Sequence, residues 1–473
     1  MPVRITSEKS FLRIENTNTN GVVFVNKANV LIQKDNDTNF SVKSDTFVGY
    51  FKYSDIETPT STSIDDLITT LVSWADTQQE EVITNAENIV NVRNNLEASS
   101  TSELTELTEA GGTSSFVASR GLYEMSTITE VGSRVVRQTR KYVPDSFATN
   151  VFVLAEAVLG SGTTGGPTDV TTRIGIFEDV NDLTVGSTEG GRGAFFSHDA
   201  SSNDLSIVLR KNDGSGSQVD TSVSQANWNV DKLDGSGLSK YTLDPNVLNV
   251  FVFKWNPLSK ALNLGVLAGE NIYYCHKIDG GGSGGEDVQL MNVPMRWEII
   301  HDGDTAPTDS YSMKQGRVMI FSDDDSSIRM KTVDSGTTPK TVNDSSVPML
   351  SVRLKDVANR TKVFPQSLSV INVASSGVAK WELVSNASLT GETFHDVAES
   401  LTQLSTTETD ATGGSVVASG FLVISGASTF DFTKQEMFLT SDIQGVSETL
   451  TLRIVHVSGT VEVLSTLDWL EKE

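Results

Sequence analysis

The 473-residue chain exceeds the length at which one hydrophobic core keeps growing, so we expect about two or three domains. Its formal charge of -25 at pH 7 makes nonspecific binding to nucleic acid or to an anionic membrane surface unfavourable, because both partners would carry the same sign. The single cysteine, Cys275, excludes an intramolecular disulfide framework and a zinc site built from cysteines. We find no leader-like start and no apolar run of the ~20 residues that cross a bilayer, and therefore expect a protein made in a cytoplasm without a membrane anchor.

Residues 1–60 alternate short apolar runs with turns rich in Asn, Thr and Asp. The runs include Phe11–Ile14, Val22–Val25 and Asn29–Ile32. Such short alternating runs are typical of strands joined by tight turns. The pattern predicts a small N-terminal β module, to which we assign a docking role.

The spacing of apolar residues changes in residues 61–100 and predicts an amphipathic or coiled-coil-like helix there. Ser63 is a good N-cap, and Asp65 and Asp66 would lie in the first turn, where the helix dipole favours negative charge. Apolar positions recur about every 3.5 residues, which favours either self-association or packing on a neighbouring β domain. The predicted self-association seam is Ile64, Leu67, Leu71, Gln78, Val82, Asn85, Ile89, Val92 and Leu96.

Residues 101–133 are rich in Ser, Thr, Glu and Gly and predict a linker. A local basic cluster follows in this acidic chain, formed by Arg134, Arg137, Arg140 and Lys141. It could dock to an acidic patch on a partner or sister subunit, or simply be a set of surface bases on a strand.

The remaining chain predicts successive strands and no further helix. Residues 134–340 contain runs such as Val151–Leu154 and Val250–Trp255, separated by turn signals such as Asn212–Gly214. Residues 341–473 repeat this style. The predicted fold is therefore mainly β, with the N-terminal β module, the helix, and then two β-sandwich, jelly-roll-like domains.

The residues that carry chemistry form no recognisable catalytic or metal-binding set. Neither a serine-hydrolase elbow nor a nucleotide phosphate loop occurs, and carboxylate pairs are too abundant to single out a glycosidase pair. Asp279–Asp287 and Asp323–Asp325 offer oxygen ligands for Ca²⁺ but lack calcium-loop spacing. The five histidines are scattered singly: His198, His276, His301, His395 and His456. We therefore predict no catalytic residues, metal or cofactor, and a protein that is not an enzyme.

Tryptophans within strand patterns are expected in the core, with sugar stacking as the exception. The tryptophans in question are Trp228, Trp255, Trp297, Trp381 and Trp469. This pattern does not exclude a lectin-like groove.

Several segments of residues 134–473 resemble structural proteins of tailed phages and large DNA viruses. The segments are Arg137–Pro144, Arg173–Asp179, Gly193–Phe196, Gln225–Gly237, Asn292–Ile299 and Leu467–Glu471. The most specific is the run Trp-Asn-x-Asp-x-x-Asp-Gly-x-Gly at Trp228–Gly237. The chain departs from the pattern at Asn256–Leu258, where a Leu-Gly-x-Gly-like turn would stand.

The resemblance implies a virion structural protein of the fibre or spike type, made in the host cytoplasm, that attaches to other virion proteins. Fibre proteins are commonly trimers, and we expect a homotrimer joined through the predicted helix. One alternative is a minor capsid or cement protein that stabilises the capsid. Another is a carbohydrate-binding module that recognises a host glycan or receptor. We expect neither nucleic acid nor a membrane as a partner.

Overall fold

In this computed structural model the described residues form a mainly β protein. The described residues comprise seven strands within residues 3–92 and most of residues 103–472. Within 103–472 the structure does not describe residues 144–149, 161–165, 180–181, 183–190, 213–216, 257–258, 270, 281–289, 291–292, 323–327, 357–361, 375, 423–425 and 433–436. No α-helix occurs among the described residues, and Gln225–Asn227 forms a 3-10 helix. None of these residues forms a helix long and apolar enough to span a membrane.

The strands are numbered in chain order. The first are β1 (Val3–Glu8), β2 (Phe11–Asn16), β3 (Gly21–Val25), β4 (Leu31–Asn36), β5 (Asn39–Lys43), β6 (Val48–Lys52) and β7 (Glu87–Val92). The next are β8 (Leu104–Glu109), β9 (Thr113–Val117), β10 (Leu122–Thr127), β11 (Arg134–Tyr142), β12 (Val151–Val158), β13 (Val170–Phe177), β14 (Gly193–Asp199), β15 (Leu205–Asn212), β16 (Gln218–Ser224), β17 (Asn249–Asn256), β18 (Ala261–Ala268), β19 (Asn271–Asp279), β20 (Pro294–His301) and β21 (Tyr311–Ser322). The last are β22 (Ile328–Asp334), β23 (Lys340–Val342), β24 (Val347–Leu354), β25 (Lys362–Asn372), β26 (Val378–Ser385), β27 (Ser388–Thr390), β28 (His395–Asp396), β29 (Thr402–Ser405), β30 (Asp410–Thr412), β31 (Ser415–Phe421), β32 (Ala427–Asp431), β33 (Thr449–Ser458) and β34 (Val461–Lys472).

The chain divides into two compact units, each assembled from several segments. The first comprises Met1–Thr84, Gln225–Asp244 and Asn263–Lys277, and the second comprises Asn85–Ser224, Pro245–Leu262 and Ile278–Glu473.

Two small antiparallel sheets occupy the N-terminal part of the first unit. Their orders are β1-β2-β3 and β4-β5-β6. The register aligns Ile5, Ile14 and Val23 in one row across the first of them. These strands lie within the predicted N-terminal β module, whose docking role stays a prediction.

The second unit contains the first sandwich, which is built from strands β8 to β17 together with β20 and β21. One sheet has seven strands in the order β16-β15-β14-β13-β20-β11-β8, and the facing sheet contains β17-β12-β21-β10-β9. Phe196 of β14 packs between the sheets, with ring centroids 5.0 Å from Phe251 and 5.8 Å from Phe253. The Trp297 indole Nε1 of β20 donates a 3.0 Å hydrogen bond to the Glu156 carbonyl of β12. The prediction of a mainly β fold with sandwich architecture is confirmed here, whereas jelly-roll connectivity stays a prediction.

The predicted helix over residues 61–100 is wrong where the structure describes this segment. Glu87–Val92 forms strand β7, which pairs antiparallel with β21 and places Val92 opposite Val318. The segment contains three β-branched residues in six, which lose side-chain freedom in a helix and suit a pleated strand. Residues 53–86 and 93–102 lie outside the described part of the chain.

The segment predicted as a linker, 101–133, instead contains strands β8, β9 and β10. Its Gly-Gly signal does mark a turn, in which the Gly112 N–H donates to the Glu109 carbonyl at 2.9 Å and Ala110 has a positive φ of 43°. This turn joins β8 of the seven-stranded sheet to β9 of the facing sheet. The polar composition around Gly111 and Gly112 is therefore that of a turn that connects two sheets.

Strand β20 of the seven-stranded sheet is buried on both faces. The inner face of β20 presents Met295, Trp297 and Ile299, while Arg296 and Glu298 lie between them on the outer face, and all five are fully buried. Strand pairing places Arg173 opposite Glu298, and Val136 opposite Glu298 on the other side. The outer face of this sheet thus carries buried charge where an exposed sheet would carry solvated side chains.

Glu298 is the centre of that charge. Its carboxylate accepts from Arg173 at 2.8 Å and from Arg134 at 3.3 Å, and it also pairs with Arg296. Burial alone would raise the pKa of Glu298, but Arg296, Arg134 and Arg173 hold this pKa well below its usual range. Asp182 adds a second carboxylate, 2.8 Å from Arg134 and in contact with Arg296.

A small aromatic cluster continues the outer face beyond the charges. Phe177, Phe195 and Val208 are buried together, with the two rings 4.4 Å apart. The Arg210 guanidinium lies 5.0 Å from the Phe195 ring centroid and pairs with both carboxylate oxygens of Asp220 at 2.9 Å. Cations over aromatic faces and bidentate carboxylate pairs allow arginines to be buried without losing all their partners.

Residues 328–472 form a second sandwich within the same unit. One sheet has the order β22-β34-β25-β32, with β23 also on β34, and the other has the order β28-β29-β24-β33-β26-β31. Its core includes Trp381 and Trp469, with Leu350, Leu368 and Leu452. The Trp381 ring lies 4.2 Å from Phe430, which joins the two sheets. Two of the tryptophans predicted as core residues are confirmed by this cluster.

The end of β11 connects the two sandwiches. Arg140 pairs with Glu448 at 3.0 Å, and its carbonyl accepts from the Thr440 hydroxyl at 3.1 Å. The buried Lys362 ammonium donates to the Tyr142 carbonyl at 2.8 Å. Burial raises the pKa of Glu448, and the Arg140 charge opposes this shift. The contact is therefore polar and specific.

We expect Glu298→Gln to destabilise the protein by about 3–5 kcal/mol, because three arginines would lose a buried counter-charge. The folded pKa of Glu298 lies below its unfolded value of about 4.3, so its stabilisation is present above that pH and is lost as pH falls through the folded pKa. Denaturant unfolding at neutral and acidic pH measures both effects. The exposed Glu462→Gln is the matched control, and equal stability of the two variants would contradict the prediction.

Candidate functional site

The segment 225–244, in the first unit, forms a closed loop around one buried carboxylate. Asp231 accepts hydrogen bonds from the Leu233 N–H at 2.9 Å and from the Ser239 N–H at 2.8 Å. A Cβ at Gly237 would lie 2.0 Å from Asp231 Oδ1, so only glycine fits there. Asp231 thus organises both arms of what we call the 225–244 loop.

A second aspartate shapes the tip of the loop. Asp234 Oδ1 accepts from the Ser236 N–H at 2.8 Å and from the Ser236 hydroxyl at 2.5 Å. The two hydrogen bonds from Ser236 lower the pKa of Asp234. Gly235, with a φ of 83°, donates its N–H to the Tyr241 carbonyl at 3.1 Å. The tip is therefore an Asx-type turn carrying an exposed, ionised carboxylate.

The base of the loop is fixed to β19. Asn229 donates to the Lys277 carbonyl and accepts from the Lys277 N–H, both at 2.8 Å. The N–H groups of Val230 and Asp231 both donate to the Cys275 carbonyl at 3.1 Å. The Asn229 N–H donates to Nδ1 of His276 at 3.2 Å, so this ring nitrogen carries no proton, and burial lowers the pKa of His276 accordingly.

Two residues of the loop adopt left-handed backbone conformations without being glycine. Leu233 has a φ of 48° and Lys240 a φ of 55°. Each such residue costs about 1–3 kcal/mol and persists only where its surroundings fix it. The hydrogen bond from the Leu243 N–H to the Leu233 carbonyl at 2.8 Å helps to fix the first. Strain of this kind concentrates at ligand-binding loops.

This rigid loop presents a pair of stacked tyrosines, the tyrosine platform. The rings of Tyr241 and Tyr273 are 5.3 Å apart between centroids and 16° from parallel, and both are half-buried. Burial, together with the neighbouring Tyr273 and Asp244, raises the pKa of Tyr241. Asp244 and Asp234 are exposed in the same loop. The platform therefore offers aromatic surface, phenol hydroxyls and carboxylates.

The single thiol of the chain lies beneath this site. Cys275 is fully buried, and its Sγ donates to the Leu264 carbonyl at 3.3 Å. Burial raises the pKa of the Cys275 thiol well above its usual range. A protonated, inaccessible thiol is a packing group. No group of metal-ligating side chains occurs in the part of the chain that the structure describes.

The predicted self-association seam falls largely outside the described residues. Only Ile89 and Val92 are placed, both on strand β7. The remaining members of the predicted seam, which are Ile64, Leu67, Leu71, Gln78, Val82, Asn85 and Leu96, lie outside.

The predicted basic docking cluster is divided between three environments. Arg134 is buried against Glu298 and Asp182, and it also pairs with Glu109 at 3.0 Å. Arg137 lies in the first sandwich, 3.5 Å from the Tyr123 ring centroid and pairing with Glu106. Arg140 and Lys141 contact the second sandwich; Lys141 Nζ is 4.7 Å from the Phe438 ring centroid. Docking of this cluster to a partner stays a prediction.

Sequence analysis singled out the Trp228–Gly237 run but missed the two tyrosines. The run supplies Asn229, Asp231, Asp234 and Gly237, the residues that close the loop. Trp228 itself is buried, as its core prediction required. Tyr241 lies four residues after the end of the run, and that proximity was the one available signal. Its partner Tyr273 comes from a distant segment that local pattern does not reveal.

No family model and no curated protein matches this sequence. Solved structures similar to this one include the legume lectin-like domain from Entamoeba histolytica, at 13% identity and a TM-score of 0.28, covering 50% of this chain and 97% of that one. They also include a lectin from Bauhinia forficata in complex with GalNAc, at 10% identity and a TM-score of 0.28, covering 50% and 98%. A protein of unknown function from Shewanella oneidensis MR-1 matches at 10% identity and a TM-score of 0.32, covering 56% and 96%.

We expect Asp231→Asn to loosen the 225–244 loop, whereas Asp234→Asn leaves it closed. Asp231 uses both oxygens as acceptors, so an amide would face one N–H donor with another donor. Asp234 uses only Oδ1, which asparagine retains. Hydrogen exchange over residues 229–243, followed by mass spectrometry, measures the difference. Equal protection in both variants would show that Asp231 does not hold the loop.

Proposed function

We propose that this protein binds a glycan on the tyrosine platform. The observation that carries the proposal is the parallel, part-exposed stack of Tyr241 and Tyr273 on a loop that is closed by its own carboxylates. Pyranose rings present an apolar C–H face that packs on aromatic rings, while their hydroxyls donate to carboxylates and carbonyls. A preformed loop also avoids the entropic cost of ordering on binding.

The proposed ligand is a neutral glycan. The platform adjoins exposed carboxylates at Asp234 and Asp244, and the chain carries a formal charge of -25. Sialylated or sulfated sugars would be repelled by this potential, whereas neutral hydroxyls can donate to the carboxylates.

The platform supports binding without catalysis. Glycoside hydrolysis requires one carboxyl group that remains protonated near neutral pH. In the 225–244 loop, Asp231 is occupied by two backbone N–H groups, and the pKa of Asp234 is lowered. Asp234 therefore lacks the raised pKa that a general acid needs. We therefore retain the prediction that the protein is not an enzyme as part of the proposal.

In a virion protein, glycan binding of this kind would serve attachment to the host. The support for it is the resemblance of Trp228–Gly237 to structural proteins of tailed phages and large DNA viruses, and this run forms the loop that holds the platform. Attachment to a particle, a homotrimeric state and a capsid cement role stay predictions. Detection of the chain in purified particles by mass spectrometry would test the virion assignment independently of glycan binding.

We expect the purified chain to bind neutral glycans saturably on an array, and Tyr241→Ala and Tyr273→Ala each to weaken binding about tenfold, or ~1.4 kcal/mol. Tyr273→Phe keeps the ring and should lose less. Phe394→Ala removes a half-buried ring elsewhere in the chain and serves as the control. Circular dichroism confirms that each variant is folded. Wild-type affinity in both alanine variants, or the absence of binding to any neutral glycan, would refute the proposal.

A further inference from the structure

The second sandwich has one open lateral edge. Among the described strands, β31 is the last of its six-stranded sheet and pairs with β26 alone, while β32 ends the facing sheet and pairs with β25 alone. Five of the seven β31 residues are exposed, among them Val416 at 48%, Val417 at 41% and Phe421 at 66%. An edge strand of this kind presents unpaired backbone N–H and C=O groups as a template for another strand.

The opposite edge of the same sandwich is protected. There the six-stranded sheet ends in β28, which has only two residues, His395 and Asp396, and Asp396 pairs with Lys355 at 3.2 Å. The five-stranded sheet ends in β22, which carries the charged residues Arg329 and Lys331. Short strands and charges are the usual means by which edges are kept from pairing. Strand β31 carries neither a charge nor a proline.

The open edge is also the least charged part of the chain. No Asp, Glu, Lys or Arg occurs between Asp410 and Asp431, in a protein with a formal charge of -25. The nearest carboxylate, Glu382 on the neighbouring β26, is held in ion pairs, since it accepts from Lys380 at 2.7 Å and from Arg453 of β33 at 2.7 Å. Two copies of this acidic chain would repel each other elsewhere, but these edges can approach without that penalty.

We propose that β31 is a dimer interface at which it pairs antiparallel with β31 of a second copy. An antiparallel pair of identical strands is related by a two-fold axis, so each copy contributes the same surface and the assembly closes at two. Val417, Ser419 and Phe421 would then extend the outer face of one continuous sheet across both copies. This interface uses none of the residues of the tyrosine platform, and it differs from the helical seam and homotrimer expected from the sequence.

Light scattering coupled to size exclusion, over about a hundredfold range of concentration, should show the mass rising toward twice the 51.0 kDa chain mass. Val417→Lys places a charge in the edge and should return the mass to that of one chain. Met330→Lys adds the same charge at a residue 65% exposed on the opposite edge and should leave the dimer intact. Ser419→Lys is a second exposed variant in case Val417→Lys affects folding, which circular dichroism reports.

Cross-linking locates the contact independently. Because Cys275 is buried, a cysteine introduced by Val417→Cys is the accessible thiol among the described residues. A short bis-maleimide should join Val417→Cys chains into dimers and leave Met330→Cys chains unjoined. A wild-type monomer at every concentration, a threefold mass, or a dimer insensitive to both lysine variants of β31 would overturn the proposal. Glycan binding by monomeric Val417→Lys would leave the platform proposal intact.

Discussion

The ion pairs of Glu298 are the interaction on which the first sandwich depends. A strand with one hydrated face packs against a core on one side only, but strand β20 of the seven-stranded sheet is buried on both faces. Its inner face is apolar and its outer face is held by Glu298, Asp182 and the arginines around them. Each buried charge is costly by itself, so the arrangement is stable only because every member has an opposite charge in contact.

The 225–244 loop applies the same principle on a smaller scale. Asp231 is buried and its cost is offset by two backbone N–H groups that would otherwise lack partners in a loop. In the sheet a buried carboxylate pairs with side chains, whereas in the loop it pairs with the backbone N–H groups of Leu233 and Ser239. Some of the acidic residues of this chain thus stabilise its interior.

Local pattern was sufficient for the strands whose apolar residues alternate or form uninterrupted runs. Val151–Val158 and Asn249–Asn256 were recognised in this way. It failed at Glu87–Val92, where a spacing near 3.5 suggested a helix although the β-branched residues and pairing with β21 favour a strand. It also failed at Leu104–Glu109, a polar segment that is stabilised as a strand by pairing with β11, which lies outside the local window. The tyrosine platform was hidden for the same reason, because Tyr241 and Tyr273 meet only in the folded chain.

The outer face of the seven-stranded sheet also constrains how the sequence can diverge. The set consists of Arg134, Arg173, Arg296 and Glu298. Replacing one member leaves a buried charge without its partner, which is destabilising. Replacing the whole set with apolar residues of similar volume is often neutral or stabilising. Two viable sequences are therefore separated by single-substitution intermediates that fold poorly. Homologous chains should accordingly carry these four residues together or lack them together, and the four positions should vary in concert.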